Sequence, residues 1–522
     1  MALRRRRGTG PGRHRGGRAG SIALVLALYL GAGLLATLPA LRHADDSFLA
    51  QGLPARGETA PGDHLQAVWQ LWLPGHQLER GAAPWLDPYS FQPEVDPRPN
   101  FSGWPFGLVF WPLNALLGPI GAWNAFVLLA FVGAGGVSFL WLRELGLGTG
   151  GALTGGLAFA LAPYLVTQGS MGHLLAPVSM LLPLALYALE RSRRGSDAWL
   201  ALAGAALASI PLSGQVHLAL GAIPFFALYA LLRRRLHWAG VLACVLAAIF
   251  AGLAVYVAAI EGSIGASGRS FSEVERYSAD LLDFVARDPR HGLESAVFLG
   301  WLLPVVAIVG LVALVLQGRY GLAATLFVGA VVPCVLALGA NFPGYAELWD
   351  RLPGLNETRV PGRLMPIACL SLGALVGAAA DRIRQPMLVA ALLLALALDL
   401  RLGVTRYRAS DADPDNSAYA ALAAAGPGRL LELPVHLPDR QEGSVYLYYA
   451  MQAPRERPAG YSTTAPKAAD RIVRRLRADP CSARRLGVRY LAIFAPATRP
   501  CSGVLIGKGG PVRVFRLVRS RQ

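Results

Sequence analysis

Charged side chains are scarce in this chain of 522 residues. They make up 16% of it, whereas ordinary soluble domains carry about 25%. Lysine occurs only as Lys467 and Lys508, so the formal net charge of +17 comes from arginine. A basic excess can indicate a nucleic-acid partner. The distribution of the arginines argues against a nucleic-acid partner here. Seven arginines lie in the first 20 residues without any acid, and most others in the apolar half lie in short loops on one side.

Motifs for nucleotides and for serine hydrolysis are missing. The chain has no Gly-x-x-x-x-Gly-Lys-Ser/Thr loop, no dinucleotide-binding glycine fingerprint followed by an acid, and no Gly-x-Ser-x-Gly. Its five cysteines show no metal-ligand spacing. Three lie in apolar runs, where packing is the expected role. The other two, Cys481 and Cys501, lie in a polar region, where a disulfide and two free thiols both remain open.

Long apolar runs are what the chain does have. Runs near 20 residues recur, which predicts an α-helical polytopic membrane protein with about eleven transmembrane helices. Arginine in each predicted inner turn and acids in the outer loops place the N-terminus in the cytoplasm. We predict a basic cytoplasmic tail at residues 1–20, a transmembrane domain at 21–402 with a large first outer loop at 42–119, and an extracytoplasmic domain at 403–522. The Ala, Gly, Pro and Arg excess favours a bacterial inner membrane.

The residues after 403 alternate between helix and strand patterns. This alternation predicts a small α/β domain, large enough for a modest core of its own. The predicted elements are helices at Ser417 to Ala425 and Pro466 to Arg477, and strands at Arg429 to Leu433, Leu486 to Phe494 and Pro511 to Val518.

Asp63 is the first candidate for chemistry, and it lies in the long polar loop at 42–119. It follows Pro61 and Gly62, which favour a turn. The apolar pattern after it predicts a short amphipathic helix lying on the membrane surface. Asp63 is then either a helix N-cap or a carboxylate held at the membrane face.

Other polar residues are predicted on the same outer side. Asp45 and Asp46 follow the first span; they are either solvated charges or carboxylates able to take a proton or bind a metal. His173 and His217 are either structural hydrogen-bonding residues or substrate contacts. Hence no cofactor is predicted outright, and a divalent cation stays open.

Two arginines lie at the predicted outer mouth of a later span. Arg359 and Arg363 belong to the run Glu357-Thr358-Arg359-Val360-Pro361-Gly362-Arg363. Guanidinium groups bind phosphate in a bidentate manner, which suits an anionic head group. The alternative is contact with lipid phosphates of the bilayer.

Taken in order, several stretches resemble the GT-C superfamily of polytopic membrane glycosyltransferases, in an uncharacterised bacterial branch. The resemblance covers most of residues 20–405. The stretches that carry it are Gly62-Asp63-His64-Leu65-Gln66 with Trp69, Trp111-Pro112-Leu113 with Gly118-Pro119 and Asn124, Phe159-Ala160-Leu161-Ala162-Pro163-Tyr164 with Gly172-His173, Glu275 to Asp283, and Arg359 to Arg363.

The resemblance implies a polyprenyl-phosphate-linked sugar donor and sugar transfer at the outer face to a glycan, lipid or protein. It implies a catalytic acid in the first outer loop, which maps best to Asp63, with Asp45 or Asp46 as competitors. The Asp-Glu pair of some branches is missing here. We predict that His64, Gln66, Trp69, His173, His217, Arg359 and Arg363 bind substrates, with Arg359, Arg363 or His173 stabilising the leaving phosphate.

Two other functions remain open from the sequence. A flippase for lipid-linked sugars would show charges inside broken helices and internal repeats, and neither is evident. A non-catalytic envelope scaffold would leave Asp63, His173 and the two arginines on separate surfaces.

Overall fold

The computed structural model describes residues 15–53, 59–233, 236–266, 270–288, 290, 292–352, 354–401 and 407–518. Residues 1–14 of the predicted basic tail (1–20) lie outside the described residues. The first helix begins at Arg15. The predicted junction near residue 403 also lies outside them.

Helices dominate the described chain. They are α1 Arg15–Thr37, α2 Asp63–Glu79, α3 Gly107–Glu144, α4 Thr149–Ala160, α5 Pro163–Ser170, α6 Leu175–Val178, α7 Leu181–Ser192, α8 Asp197–Leu212, α9 Val216–Leu231, α10 Trp238–Val255, α11 Phe271–Tyr277, α12 Leu302–Leu316, α13 Tyr320–Ala337, α14 Tyr345–Arg351, α15 Met365–Ala380, α16 Pro386–Arg401, α17 Ser417–Ala424, α18 Ser444–Gln452 and α19 Lys467–Ala478. The strands are β1 Ser47–Leu49, β2 Leu86–Asp87, β3 Arg98–Pro99, β4 Ala409–Asp411, β5 Arg429–Leu433, β6 Val488–Phe494, β7 Gly503–Gly509 and β8 Val512–Leu517.

Several helices have the length and composition of membrane spans. In the described residues four helical segments qualify: Gly107–Glu144, Trp238–Ile260, Tyr320–Ala337 and Pro361–Ala380. The bent pair α4 and α5, which meet at 42°, adds a fifth if it counts as one span. Shorter apolar helices are Ala23–Thr37, Asp197–Leu212, Val216–Leu231 and Leu302–Leu316. The total of about eleven spans therefore stays a prediction.

Helix α15 lies at the centre of the helical part. All of its residues are buried, and it packs against α4, α12 and α13. Glycines allow this close packing, because a Cβ on Gly155 would lie 2.7 Å from the carbonyl oxygen of Gly373. Small residues at such contacts let helix backbones approach one another in a membrane.

Strands join the two ends of the helical part. Strand β1, which follows the first helix, pairs antiparallel with β4, and Phe48 lies opposite Ser410. The side chain of Asn124 on α3 fixes β1 from the other side, since its Oδ1 accepts from the Leu49 amide at 2.8 Å and its Nδ2 donates to the Ser47 carbonyl at 2.9 Å. The chain entering the first loop is thus held beside the chain leaving the last apolar helix.

The residues after α16 form a four-stranded sheet with helices packed on it. The strand order is β5-β6-β8-β7, with β5 and β6 parallel and the other pairs antiparallel. A disulfide joins Cys481 to Cys501, whose Cα atoms lie 5.7 Å apart. Cys244 and Cys369 are buried free thiols and Cys334 is a half-buried one. Strand β7 and helix α18 lie where no sequence pattern predicts an element.

Helix α2, which begins at Asp63, is covered by protein. Leu65, Val68 and Leu71 are buried in the main core, and the helix packs against α3 and α18. The expectation that the apolar side of this helix rests on lipid is therefore wrong. The amphipathic pattern identified its apolar side, but protein and not lipid covers that side.

Packing of α12 on α15 gives a prediction about stability. A Cβ on Gly310 would overlap the carbonyl oxygen of Leu375, so Gly310→Ala must push the helices apart. Overpacking of this kind costs about 1–3 kcal/mol. We expect a lower midpoint of thermal unfolding for detergent-solubilised protein. Gly31→Ala is the control, because a Cβ there meets nothing within 4 Å. Equal midpoints for the two variants would contradict the packing described.

Candidate active site

Asp63 is the first residue of α2, and its carboxylate faces two side chains from distant parts of the chain. Gly62 is the N-cap residue, so Asp63 does not occupy that position. Its Oδ2 lies 3.1 Å from His173 Nε2, and its Oδ1 accepts from the Tyr461 hydroxyl at 2.6 Å. Because a carboxylate only accepts, the His173 Nε2 facing it carries a proton. The first turn of α2 also favours a negative charge at this place.

His173 is held from both sides of its ring. It follows α5 and a turn at Gly172, whose φ of +85° suits glycine. The second ring nitrogen, Nδ1, lies 2.8 Å from Gln168 Oε1 and 3.2 Å from Arg363 Nη1. The imidazole is thereby fixed with Nε2 directed at Asp63.

Arg363 and Glu294 form an ion pair behind this histidine. Arg363 Nη2 lies 2.9 Å from Glu294 Oε2, and Arg363 Nη1 donates to Gln168 Oε1 at 2.8 Å. Glu294 Oε1 also lies 3.7 Å from His173 Nε2. The charge of Arg363 is therefore largely committed to Glu294.

Arg359 remains available to a ligand. It is half-buried, its guanidinium lies 5.7 Å from the centre of the Tyr277 ring, and among the described residues it forms no ion pair. An arginine stacked on an aromatic ring and unpaired with a carboxylate can bind an anion bidentately.

Two cavities meet at these residues. One, of about 770 Å³, opens between the first loop and α19; the other, of about 380 Å³, extends towards α9 and α10. Both are lined by Asp63, His173, Glu294, Arg359, Tyr461 and Thr463. A molecule in either cavity can thus reach the Asp63 carboxylate.

Three further residues predicted to bind substrates line the second cavity. Gln66 and Trp69 come from α2, and His217 comes from the start of α9. Trp69 is 3% exposed, and Gln66 Nε2 donates to the Tyr461 carbonyl at 3.3 Å. Arg363 lines the same cavity.

His64, Asp45 and Asp46 lie elsewhere. His64 is fully buried against Phe48, and its Nε2 lies 3.2 Å from the Ser410 hydroxyl. Burial lowers the pKa of His64 to about 3 against the opposing charge of Asp63, so the ring is neutral at pH 7. Asp45 and Asp46 are exposed in a turn after α1 and line neither cavity.

The surroundings of Asp63 favour its ionised form. Burial by itself raises the pKa of the carboxyl group. The hydrogen bond and charge of His173, with hydrogen bonds from Tyr461 and Gln441, outweigh burial and hold the pKa well below its usual value. Glu294 behaves alike: the charges of Arg363, His173 and Arg359 lower its pKa against burial. Both carboxylates are therefore negative at neutral pH.

Some residues of the site carry no signal in the sequence. Tyr461 lies in an irregular stretch between α18 and α19, and Gln168 lies within an apolar helix. Glu294 stands out in the sequence only as one of seven acids in the loop 261–295. Only the folded chain shows which of those acids reaches Arg363.

The part of the chain that the structure describes contains no set of side chains arranged to bind a metal ion. No group of three or more His, Cys, Asp or Glu side chains there is placed to hold an ion. Asp63 and Glu294 are instead directed at His173 and Arg363.

Comparison with solved structures identifies the fold. The arabinofuranosyltransferase AftD from Mycobacteria superposes with a TM-score of 0.57 at 17% identity, over 97% of this chain and 40% of that one. ArnT from Cupriavidus metallidurans superposes with a TM-score of 0.50 at 15% identity, over 97% of this chain and 99% of that one. The chain spans about 40% of the length of AftD. No protein-family model matches the chain, and no curated protein sequence matches it.

Both structures are polytopic membrane glycosyltransferases of the GT-C superfamily. The resemblance predicted from the sequence is thereby confirmed at the level of the fold: the chain has the GT-C fold. This fold and the apolar helices together place the protein in a membrane.

Close approach at Gly172 gives a prediction about the site. A Cβ on Gly172 would overlap the backbone nitrogen of His64, and φ at Gly172 is +85°. Gly146 has a φ of +90° with nothing within 4 Å of its Cβ. Alanine at either position costs about 1–2 kcal/mol of backbone strain. Gly172→Ala also pushes His173 away from α2, so we expect a larger drop in the thermal midpoint than for Gly146→Ala. Equal drops would contradict a tight contact between the His173 turn and α2.

Proposed function

We propose that the protein is a membrane glycosyltransferase that moves a sugar from a polyprenyl-phosphate-linked donor to an acceptor at the outer face of a bacterial inner membrane. The observation that carries this proposal is the junction of the two cavities. Asp63, His173 and Arg359, which come from three separate loops, line both cavities there. A transfer reaction needs such a meeting point, because one substrate is dissolved in lipid and the other arrives from water.

The donor phosphate is proposed to lie against Arg359. Among the described residues this guanidinium forms no ion pair with a carboxylate, and it lines both cavities. As the bond between the anomeric carbon and the phosphate oxygen breaks, its electrons stay on the phosphate, which gains negative charge. A fixed cation at that oxygen stabilises the transition state more than the ground state. Arg363, paired with Glu294, contributes mainly by holding His173.

Asp63 is proposed to orient the acceptor hydroxyl and to take its proton. The hydroxyl oxygen attacks the anomeric carbon from the side opposite the phosphate, which inverts the configuration of that carbon. The new bond is acceptor oxygen to carbon, and the hydroxyl proton passes to the Asp63 carboxylate. Help from a general base is worth roughly 10²–10⁴-fold in rate.

The low pKa of Asp63 limits its strength as a general base. A carboxylate held below its usual pKa is a weak base, since the best general base has a pKa near the working pH. We infer that Asp63 accepts the proton late in the attack. Its ionised charge also stabilises the positive charge that develops on the sugar ring as the leaving phosphate departs.

The proposal also includes the arrangement of the chain across the membrane. We propose about eleven spans, a cytoplasmic N-terminus, and an extracytoplasmic α/β domain at 403–522. The sheet β5-β6-β8-β7 and helices α17 to α19 support such a domain, and the presence of Lys467 and Arg474 around the larger cavity supports its position beside the site. The sugar is a hexose or a pentose, and the acceptor is a glycan, a lipid or a protein.

A flippase and an inactive scaffold are less well supported. A scaffold has no need to bring Asp63, His173 and Arg359 to one place. A flippase would use charges inside its spans to carry the head group across. The charged groups described here instead lie in loops and at helix ends.

Asp63→Asn tests the base. The amide keeps the size of the side chain but loses the charge and the affinity for a proton. We expect sugar transfer from polyprenyl-phosphate-linked donors to fall about 10²–10⁴-fold in membranes carrying the variant. The measurement is the initial rate with labelled donor. Asp45→Asn and Asp46→Asn are the controls and should retain the wild-type rate, because neither residue lines a cavity. Transfer by Asp63→Asn at the wild-type rate would rule out this assignment.

Arg359→Gln tests the phosphate site. Losing a charge-assisted contact worth about 1.5–3 kcal/mol should lower kcat/KM for the donor about tenfold or more. Competition by free polyprenyl phosphate should weaken to the same extent, which identifies the phosphate as the group bound. The control is Arg351→Gln, which removes an exposed arginine of α14 that lines neither cavity. Unchanged kcat/KM for the donor and unchanged competition in Arg359→Gln would place the phosphate elsewhere.

A further inference from the structure

Tyr461 belongs to the segment between α18 and α19, yet it touches the residue that begins α2. Its hydroxyl donates to Asp63 Oδ1 at 2.6 Å across 398 residues of sequence. The side chain is 7% exposed, and its ring packs with Trp69, Leu73 and Tyr89 of the first loop. The Tyr461 carbonyl accepts from Gln66 Nε2 at 3.3 Å. Ring, carbonyl and hydroxyl together fix this tyrosine against α2.

The hydrogen bond from Tyr461 to Asp63 is a strong one. An O–H donor at 2.6 Å from an ionised carboxylate is a charge-assisted hydrogen bond, about twice as strong as a neutral one. It acts on Oδ1, while His173 acts on Oδ2. Two donors at the two oxygens prevent the carboxylate from rotating. Room remains for a substrate, because two carboxylate oxygens offer about four acceptor positions.

We propose that Tyr461 is a positioning residue of the proposed reaction, whose hydroxyl keeps Asp63 ionised and directed into the junction of the two cavities. This inference rests on the proposed function. Its consequence is that the region after residue 403 is part of the active site. The helical part alone would leave Oδ1 of Asp63 without its donor.

The test measures the ionisation of Asp63 without any sugar. A water-soluble carbodiimide adds to protonated carboxyl groups, and an added amine then displaces the urea to leave an amide on the residue. The rate of amide formation at Asp63, read by peptide mass spectrometry, follows the protonated fraction. The full chain in detergent is labelled at pH 5 to 6. Tyr461→Phe loses one bond to the charged form, which raises the pKa of Asp63. We expect labelling about tenfold faster than in the wild type.

Tyr446→Phe is the matched control. Tyr446 is also 7% exposed, and its hydroxyl donates to the Pro434 carbonyl at 2.8 Å, away from Asp63. Both variants therefore lose one hydroxyl from a buried ring in the same region. Labelling of Asp63 in Tyr446→Phe should match the wild type. Equal labelling in the two variants would overturn the proposal, because Tyr461 would then contribute packing only.

Sugar transfer supplies a second, independent readout. Tyr461→Phe should lower kcat about tenfold and leave the donor KM unchanged, since Arg359 still binds the phosphate. A changed donor KM with unchanged kcat would overturn the positioning role. If the wild-type chain transfers no sugar from lipid-linked donors, the proposed function fails, and the labelling rates still decide whether Tyr461 controls Asp63.

Discussion

The negative charge of Asp63 is the constraint on which the site depends. A partly buried carboxylate is stable only where donors or cations replace the water that it loses. Here the two donors come from residues 110 and 398 positions away in the sequence. His173 reaches Asp63 only when the helical part has folded, and Tyr461 reaches it only when the region after residue 403 has packed against that part. The charged site is thus a product of the complete tertiary structure.

Arg359 and Arg363 have different tasks at the junction of the two cavities. Asp63 and Glu294 bring two negative charges, and Arg359 and Arg363 bring two positive ones. Glu294 pairs with Arg363 at 2.9 Å, and that pair fixes His173 against Asp63. Arg359 lies on the Tyr277 ring, and its charge is available to an anion at the junction of the cavities. If Glu294 were absent, Arg363 would compete with Arg359 for the same anion.

Residue type and position in the sequence were sufficient to find part of this arrangement. Asp63, His173, Arg359 and Arg363 stand out because they interrupt a chain that is otherwise apolar, and the structure brings all four together. The apolar spacing after Asp63 correctly predicted a helix, and five elements after residue 403 lie where predicted. Periodicity identifies an apolar side but not what covers it, so the covering of α2 by α18 could not be predicted. Tyr461 was missed because its role depends on a contact across 398 residues, and Gln168 was missed because its contact with Arg363 spans 195 residues.

The region after residue 403 is held on α2 by more than the tyrosine. Arg457 and Glu432 are each 1% exposed and lie 3.2 Å apart, and the Arg457 guanidinium lies 5.9 Å from the Trp69 ring on α2. Arg457 also donates to the Tyr446 carbonyl, and its backbone bonds to Tyr89 and Gln92 of the first loop. Separating the two regions would break the backbone bonds of Arg457 to Tyr89 and Gln92 and expose the apolar ring of Trp69 to water, and both changes are unfavourable. Because Trp69 and Asp63 share one helix, the buried pair and Tyr461 act on the same rigid element. A movement of the region after residue 403 would therefore move the carboxylate with it, which ties the geometry of the site to the docking of residues remote from it in sequence.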